Sequence, residues 1–135
     1  MIKATFYDGN CLRLTVQGHG GGEYGTDIVC AGVSTLVTTL ANWAMLLYED
    51  KYLLAKPVIR LEPGDAIIEV LPRAQLWAMV RSHFGFVLVG LDGIAEARPE
   101  AIEIDINAAE AAEDMGSSTD GQIMGSPTDG QEGQV

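Results

Sequence analysis

Cysteine, histidine and basic residues are all scarce in this chain of 135 residues. It contains two Cys, two His and eight Lys and Arg together, against 19 Asp and Glu, for a formal net charge of −11. Two Cys and two His without paired ligand spacing do not form a Cys/His metal site, so we expect no metal and no cofactor. Direct binding to nucleic acid, which needs clustered Lys and Arg, is also disfavoured.

Neither a leader-like segment nor a long uninterrupted apolar run is visible in the sequence. The residues after Met1 alternate at once, and five polar residues interrupt the apolar stretch that begins at Ile28: Ser34, Thr35, Thr38, Thr39 and Asn42. We therefore expect no signal peptide, no membrane span and a cytoplasmic location. In the cytoplasm Cys11 and Cys30 should stay reduced, with a Cys11–Cys30 disulfide as the alternative.

Hydrophobic periodicity predicts an α+β fold. Alternating residues predict strands at 2–7, 11–17, 58–61, 66–71 and 101–106, and apolar residues three or four apart predict helices at 28–48 and 73–97. Asp8-Gly9 and Pro63-Gly64 predict tight turns between neighbouring strands. The order ββαββαβ predicts two main helices on a largely antiparallel sheet.

The end of the chain has a different composition. Residues 107–135 carry six acidic residues and no base, and the segment 116–122 recurs nine residues later. Two copies without the glycine-aspartate pattern of calcium-binding nonapeptides favour disorder over a calcium site. We expect a folded domain at 1–106, with a formal charge of about −5, followed by a disordered acidic tail at 107–135.

Chemistry is concentrated between Gly18 and Ser34. His19 stands in a glycine-rich loop, and Asp27 is a good N-cap for a helix that carries Cys30 in its first turn. Unpaired backbone N–H groups and the positive end of the helix dipole would favour the Cys30 thiolate there. A nearby imidazole could take the thiol proton, and Ser34, one turn on, would line the same cleft.

Other interpretations of the same residues are weaker. Gly20, Gly22 and Gly25 spell a G-x-G-x-x-G fingerprint, but the chain lacks repeated βαβ units. No Gly-Lys-Ser/Thr follows, which excludes a P-loop. A lone Cys in an apolar helix is usually a small buried residue, and a lone His beside glycines is usually a turn residue. The residues alone therefore leave open whether Cys30 and His19 are a catalytic pair or ordinary structural residues.

The segments Gly18-His19, 22–25 and 27–34 resemble the signature of the ribosomal-processing cysteine proteases, and the likeness extends over most of residues 1–106. The resemblance implies Cys30 as the nucleophile and His19 as its base. It also implies support or substrate contacts from six further residues: Gly20, Gly21, Gly22, Tyr24, Asp27 and Ser34. It implies a small homodimeric α+β protein.

The resemblance further implies removal of a short hydrophobic N-terminal extension from a large-subunit ribosomal protein precursor. The alternative is a noncatalytic peptide-binding or ribosome-assembly module that uses the same cleft. In the protease, backbone N–H groups at the helix start, including that of Cys30, would stabilise the oxyanion. The glycine loop would close over the peptide and bring His19 towards Cys30.

Overall fold

The computed structural model describes residues 1–19 and 24–107, with the backbone alone for residues 24–27. Its strands are β1 (Ile2–Asp8), β2 (Leu12–Gly18), β3 (Val58–Glu62), β4 (Asp65–Val70) and β5 (Ile102–Ile106). Its helices are α1 (Tyr24–Glu49) and α2 (Trp77–Ala97), the latter preceded by a 3₁₀ turn, Ala74–Leu76. The predicted order ββαββαβ is confirmed. Of the predicted tail, residues 108–135 lie outside the described part of the chain.

One five-stranded sheet forms the centre of the fold, with strand order β3-β4-β2-β1-β5. The first four strands pair antiparallel, and β5 pairs parallel to β1, so the predicted largely antiparallel sheet is confirmed. Alternation fixes its two faces, because neighbouring side chains of a strand point to opposite sides. In β2, for example, Leu12, Leu14 and Val16 are buried while the residues between them are partly exposed.

Both helices cover the same face of the sheet. The buried stripe of α1 consists of residues three or four apart: Val29, Val33, Val37, Leu40, Ala44 and Leu47. Sequence spacing predicts Leu36 in this stripe in place of Val37, because positions 33, 36 and 40 are also three or four apart. Leu36 is only half-buried, however, and lies against Gly90 of α2, where a Cβ would come 3.0 Å from its methyl groups. Gly90 therefore lets the two helices approach closely.

The start of α1 differs from the prediction. The helix begins at Tyr24, so Asp27 is a residue of its first turn and not the cap before it. An aspartate is favourable at either position, since both lie near the positive end of the helix dipole. Gly25 did not mark the boundary because one glycine costs a helix only about 1 kcal/mol relative to alanine.

Apolar character runs along both helices. By length and composition alone, the segments Ile28–Glu49 and Ala74–Ala97 would each be able to cross a membrane. The polar residues of α1 therefore lower its hydropathy less than the sequence argument assumed. A soluble core helix passes the same test, because the stripe that covers a sheet is itself apolar.

We expect the core and surface leucines to differ sharply in their effect on stability. Leu12→Ala should lower the free energy of unfolding by about 2–5 kcal/mol, because Leu12 is fully buried (0% exposed) on a central strand. Leu54→Ala removes the same atoms from a side chain that is 58% exposed and should cost no more than about 0.5 kcal/mol. Urea titration of both variants measures the difference, and equal losses would contradict this assignment of the core.

Candidate active site

A cavity of about 420 Å³ opens between α1 and the turn that joins β3 to β4. Its apolar wall comes from the two elements and the adjoining strands: Ile2, Val16, Val33, Val37, Leu61 and Ala66. Polar groups enter it from three places, with His19 after β2, Cys30 and Ser34 on α1, and Glu62 and Asp65 beside the turn. The cavity is an apolar cleft with a thiol, an imidazole and two carboxylates around it.

The backbone of His19 is held from both sides. Gly18, with φ of 108°, ends β2 and donates its N–H to the carbonyl oxygen of Gly64 at 3.0 Å. The main-chain nitrogen of Met1 donates to the carbonyl oxygen of His19 at 3.0 Å. The position of His19 at the cavity is therefore set by β1 and by the β3–β4 turn together.

Cys30 and Ser34 stand one turn apart on α1 and so share a face of the helix. Cys30 is half-buried, Ser34 is exposed, and both line the cavity. Within the described part of the chain no hydrogen bond joins the His19 ring to the Cys30 thiol. The structure thus brings His19, Cys30 and Ser34 to one cavity, with the imidazole and thiol not yet in hydrogen-bonding contact.

The remaining predicted site residues belong to the segment after β2 and to the first turn of α1. Gly20, Gly21 and Gly22 lie outside the described residues. The backbones of Tyr24 and Asp27 are in the first turn of α1, and their side chains are not among those described. The predicted closure of the glycine loop over a peptide therefore falls outside the described part of the chain.

The earlier start of α1 changes how Cys30 can be activated. Only the first four N–H groups of an α-helix lack a partner within the helix, and here they belong to residues 24–27. Cys30 is the seventh residue, so the expectation that its own N–H is a free oxyanion donor is wrong. The helix dipole also weakens beyond the first turn, which leaves less stabilisation for a thiolate at Cys30.

Sequence reasoning missed one wall of the cavity, namely Leu61, Glu62 and Gly64 at the β3–β4 turn. Pro63-Gly64 signalled a turn correctly, but no local pattern links a turn to a histidine far away in the chain. The link is the pairing of β2 with β4, which sets Gln17 opposite Asp65. A pairing between distant strands has no signature in a single sequence.

Cys11 has surroundings unlike those of Cys30. Both cysteines are free, so the alternative of a Cys11–Cys30 disulfide is wrong. Burial, and to a smaller extent the charge of Glu69, raises the pKa of the Cys11 thiol, while Arg13 opposes the shift. Cys11 follows the β1–β2 turn and is not part of the cavity lining.

Comparison with known proteins adds the decisive observation. The family profile of cysteine protease Prp matches residues 1–103, which include the whole sheet except the end of β5, both helices and the cavity. The chain belongs to the cysteine protease Prp family. Among curated proteins, none matches the chain in sequence.

Solved structures agree with this membership. SMU.848 from Streptococcus mutans is 32% identical, with 78% of this chain and 93% of that chain covered, at a TM-score of 0.59. The essential ribosomal processing protease Prp from S. aureus, in complex with a covalently linked product peptide, is 25% identical, with 78% and 99% covered, at 0.60. The same enzyme with a substrate peptide, 22% identical over the same shares at 0.59, supports the fold alone.

We expect the two thiols of this Prp family member to react in a fixed order. A raised pKa keeps Cys11 protonated at neutral pH, whereas Cys30 is reached through the cavity. At pH 7 iodoacetamide should therefore modify Cys30 first, and the preference should shrink once the pH rises far enough for the Cys11 thiol to ionise as well. Peptide mass spectrometry measures the order, with Cys11→Ala and Cys30→Ala proteins as controls. Faster modification of Cys11 at pH 7 would contradict it.

Proposed function

We propose that this protein is a cysteine endopeptidase in which Cys30 is the nucleophile and His19 the general base and then acid. One observation carries the assignment of residues: in a chain of a cysteine protease family, the thiol and the imidazole line the same apolar cavity. Ser34 lines that cavity beside Cys30 and would contact the bound peptide. We propose supporting roles also for Gly20, Gly21 and Gly22 and, in the first turn of α1, for Tyr24 and Asp27.

The chemistry needs one proton to move twice. His19 takes the proton of the Cys30 thiol while Sγ attacks the scissile carbonyl carbon. The tetrahedral intermediate collapses to a thioester as His19 passes the proton to the leaving amine, and water then hydrolyses the thioester. Since Cys30 lies beyond the first turn of α1, activation of the thiol depends more on His19 than on the helix dipole.

We propose a short hydrophobic N-terminal extension of a large-subunit ribosomal protein precursor as the substrate. The S. aureus relative is a ribosomal processing protease, which supports this substrate class. The apolar wall of the cavity suits apolar side chains of an extension. Glu62 and Asp65 at the β3–β4 turn suit the basic character of a ribosomal protein.

We also propose a homodimer in the cytoplasm, with no direct nucleic-acid or membrane partner. The large apolar side chains that α1 and α2 expose include Trp43, Leu46, Phe86 and Val89. Residues 28–48 include no charged residue, although the chain as a whole is strongly acidic. Two copies could therefore meet through α1 without like-charge repulsion from that helix, and apolar side chains of both helices would leave water.

The two proposed catalytic residues should be separable by substitution. Cys30→Ala should abolish cleavage of a peptide that carries the extension, because no other thiol lines the described cavity. His19→Ala should reduce kcat about 10²–10⁴-fold and still bind the peptide. Cys11→Ala is the matched control and should cleave as the wild type does.

Cleavage by folded Cys30→Ala would rule out this nucleophile. Wild-type protein that binds the peptide under reducing conditions and never cuts it would favour the noncatalytic module. Calorimetry for binding, mass spectrometry for the products and circular dichroism for the fold together distinguish these outcomes.

The tail should be dispensable for the chemistry. A chain ending at Asn107 keeps every described element, so it should fold, keep its oligomeric state in sedimentation and cleave the short peptide at nearly the wild-type rate. With a full-length basic ribosomal protein the acidic tail should speed encounter, by an amount that falls as salt rises. A full-length chain with the six tail acids changed to amides is the control for charge. Loss of short-peptide cleavage with the fold preserved would place the tail in the active site.

A further inference from the structure

The His19 imidazole lies directly against Gly64 at the β3–β4 turn. A Cβ built on Gly64 would overlap Cε1 and Nε2 of the His19 ring and lie 3.1 Å from Nδ1. Heavy atoms of a real side chain are not found so close to an unbonded neighbour. The ring therefore occupies the space that any side chain at position 64 would need.

The turn that carries Gly64 is fixed at both of its strand ends. The carbonyl oxygen of Gly64 accepts a hydrogen bond from the N–H of Gly18, the residue directly before His19, at 3.0 Å. Arg60 Nε lies 3.1 Å from Asp65 Oδ2, which ties β3 to β4 beside the turn. The surface under the imidazole is thus part of the sheet and does not depend on a free loop.

Backbone conformation alone does not explain a glycine at position 64. Its φ of 74° is in the left-handed region, and Pro63-Gly64 suits the central positions of a type II turn. Asparagine is also tolerated at the second central position of such a turn. An asparagine at position 64 would suit the turn, but its Cβ would displace the His19 ring.

We propose that Gly64 is a positioning residue for His19, a role that rests on the function proposed above. Because position 64 has no Cβ, the ring can lie on the turn and face the cavity that Cys30 lines on its other side. A side chain at position 64 would displace the imidazole from its position against the turn. Displacement of a catalytic group by about 1 Å can lower a rate by about 100-fold.

Two substitutions separate the contact from the turn. Gly64→Ala adds a Cβ and strains the positive φ, whereas Gly64→Asn adds the same Cβ with less strain. Both should lower kcat by about 10–100-fold with little change in KM, and Gly64→Asn should be the more stable of the two. Gly85→Ala, on α2 with no heavy atom within 4 Å of its added Cβ, is the matched control and should keep the wild-type kcat.

The pH profile adds a readout that a merely structural role would not move. The limb of kcat/KM that reports the general base should shift in both Gly64 variants and not in Gly85→Ala. If kcat fell with Gly64→Ala and recovered with Gly64→Asn, the turn conformation would be the cause and the proposal would be overturned. Wild-type rates and profiles in both folded variants would overturn it as well.

An NMR measurement, which needs no catalysis, tests the position of His19 independently of the proposed function. The chain has two histidines, so the His83→Gln protein leaves a single imidazole to observe by NMR. A nuclear Overhauser contact between the Cε1 proton of His19 and the α protons of Gly64 should be present in that protein. Absence of this signal would overturn the proposed contact between His19 and Gly64. Its presence would support the contact even if no peptide were cut or if the Gly64 variants failed to fold.

Discussion

The antiparallel pairing of β2 with β4 is the interaction on which the site depends. It runs from Leu12 opposite Val70 to Gln17 opposite Asp65, and the bond from Gly18 N–H to Gly64 O closes it at 3.0 Å. The last rung lies immediately before His19. If this pairing slipped by one residue, every side chain of β2 would change face, so Val16 would leave the core and the His19 backbone would lose its anchor. Core packing thus enforces the register that the site requires.

Helix α1 contributes to the site mainly by positioning Cys30 and Ser34, and less through the electrostatic effect of its dipole. Residues 29, 33 and 37 of α1 are buried against the sheet, which fixes the rotation of the helix about its axis. With that rotation set, Cys30 and Ser34 turn to the cavity beside the buried stripe. Because α1 begins at Tyr24, the strongest part of the helix dipole lies a turn away from the thiol. In the proposed mechanism, proton transfer to His19 is therefore the larger requirement for forming the thiolate.

Periodicity was enough for the elements and their order, since burial of one face imposes a repeat of 2 on strands and of about 3.6 on helices. The glycine loop, the expected helix start and the family resemblance led to Cys30, His19 and Ser34, which belong to one short segment and meet at one cavity. Sequence reasoning failed at the start of α1, where Asp27 suits a cap and a first turn equally. It could not link Gly64 to His19, because that contact arises from strands paired across the insertion of α1.

Gly18 and Gly64 are joined by one hydrogen bond between β2 and the β3–β4 turn, but the two positions require glycine for different physical reasons. Gly18 has φ of 108°, outside the usual range of an L side chain, and a Cβ there would overlap the carbonyl oxygen of Met1. Backbone against backbone cannot give way, so Gly18 is required for β1 and β2 to stay paired. At Gly64 the neighbour is the end of a side chain, which could move aside and leave the fold intact. The first glycine is therefore a constraint of the sheet, whereas the second suits the positive φ of its turn and leaves room for the imidazole that the proposed chemistry uses.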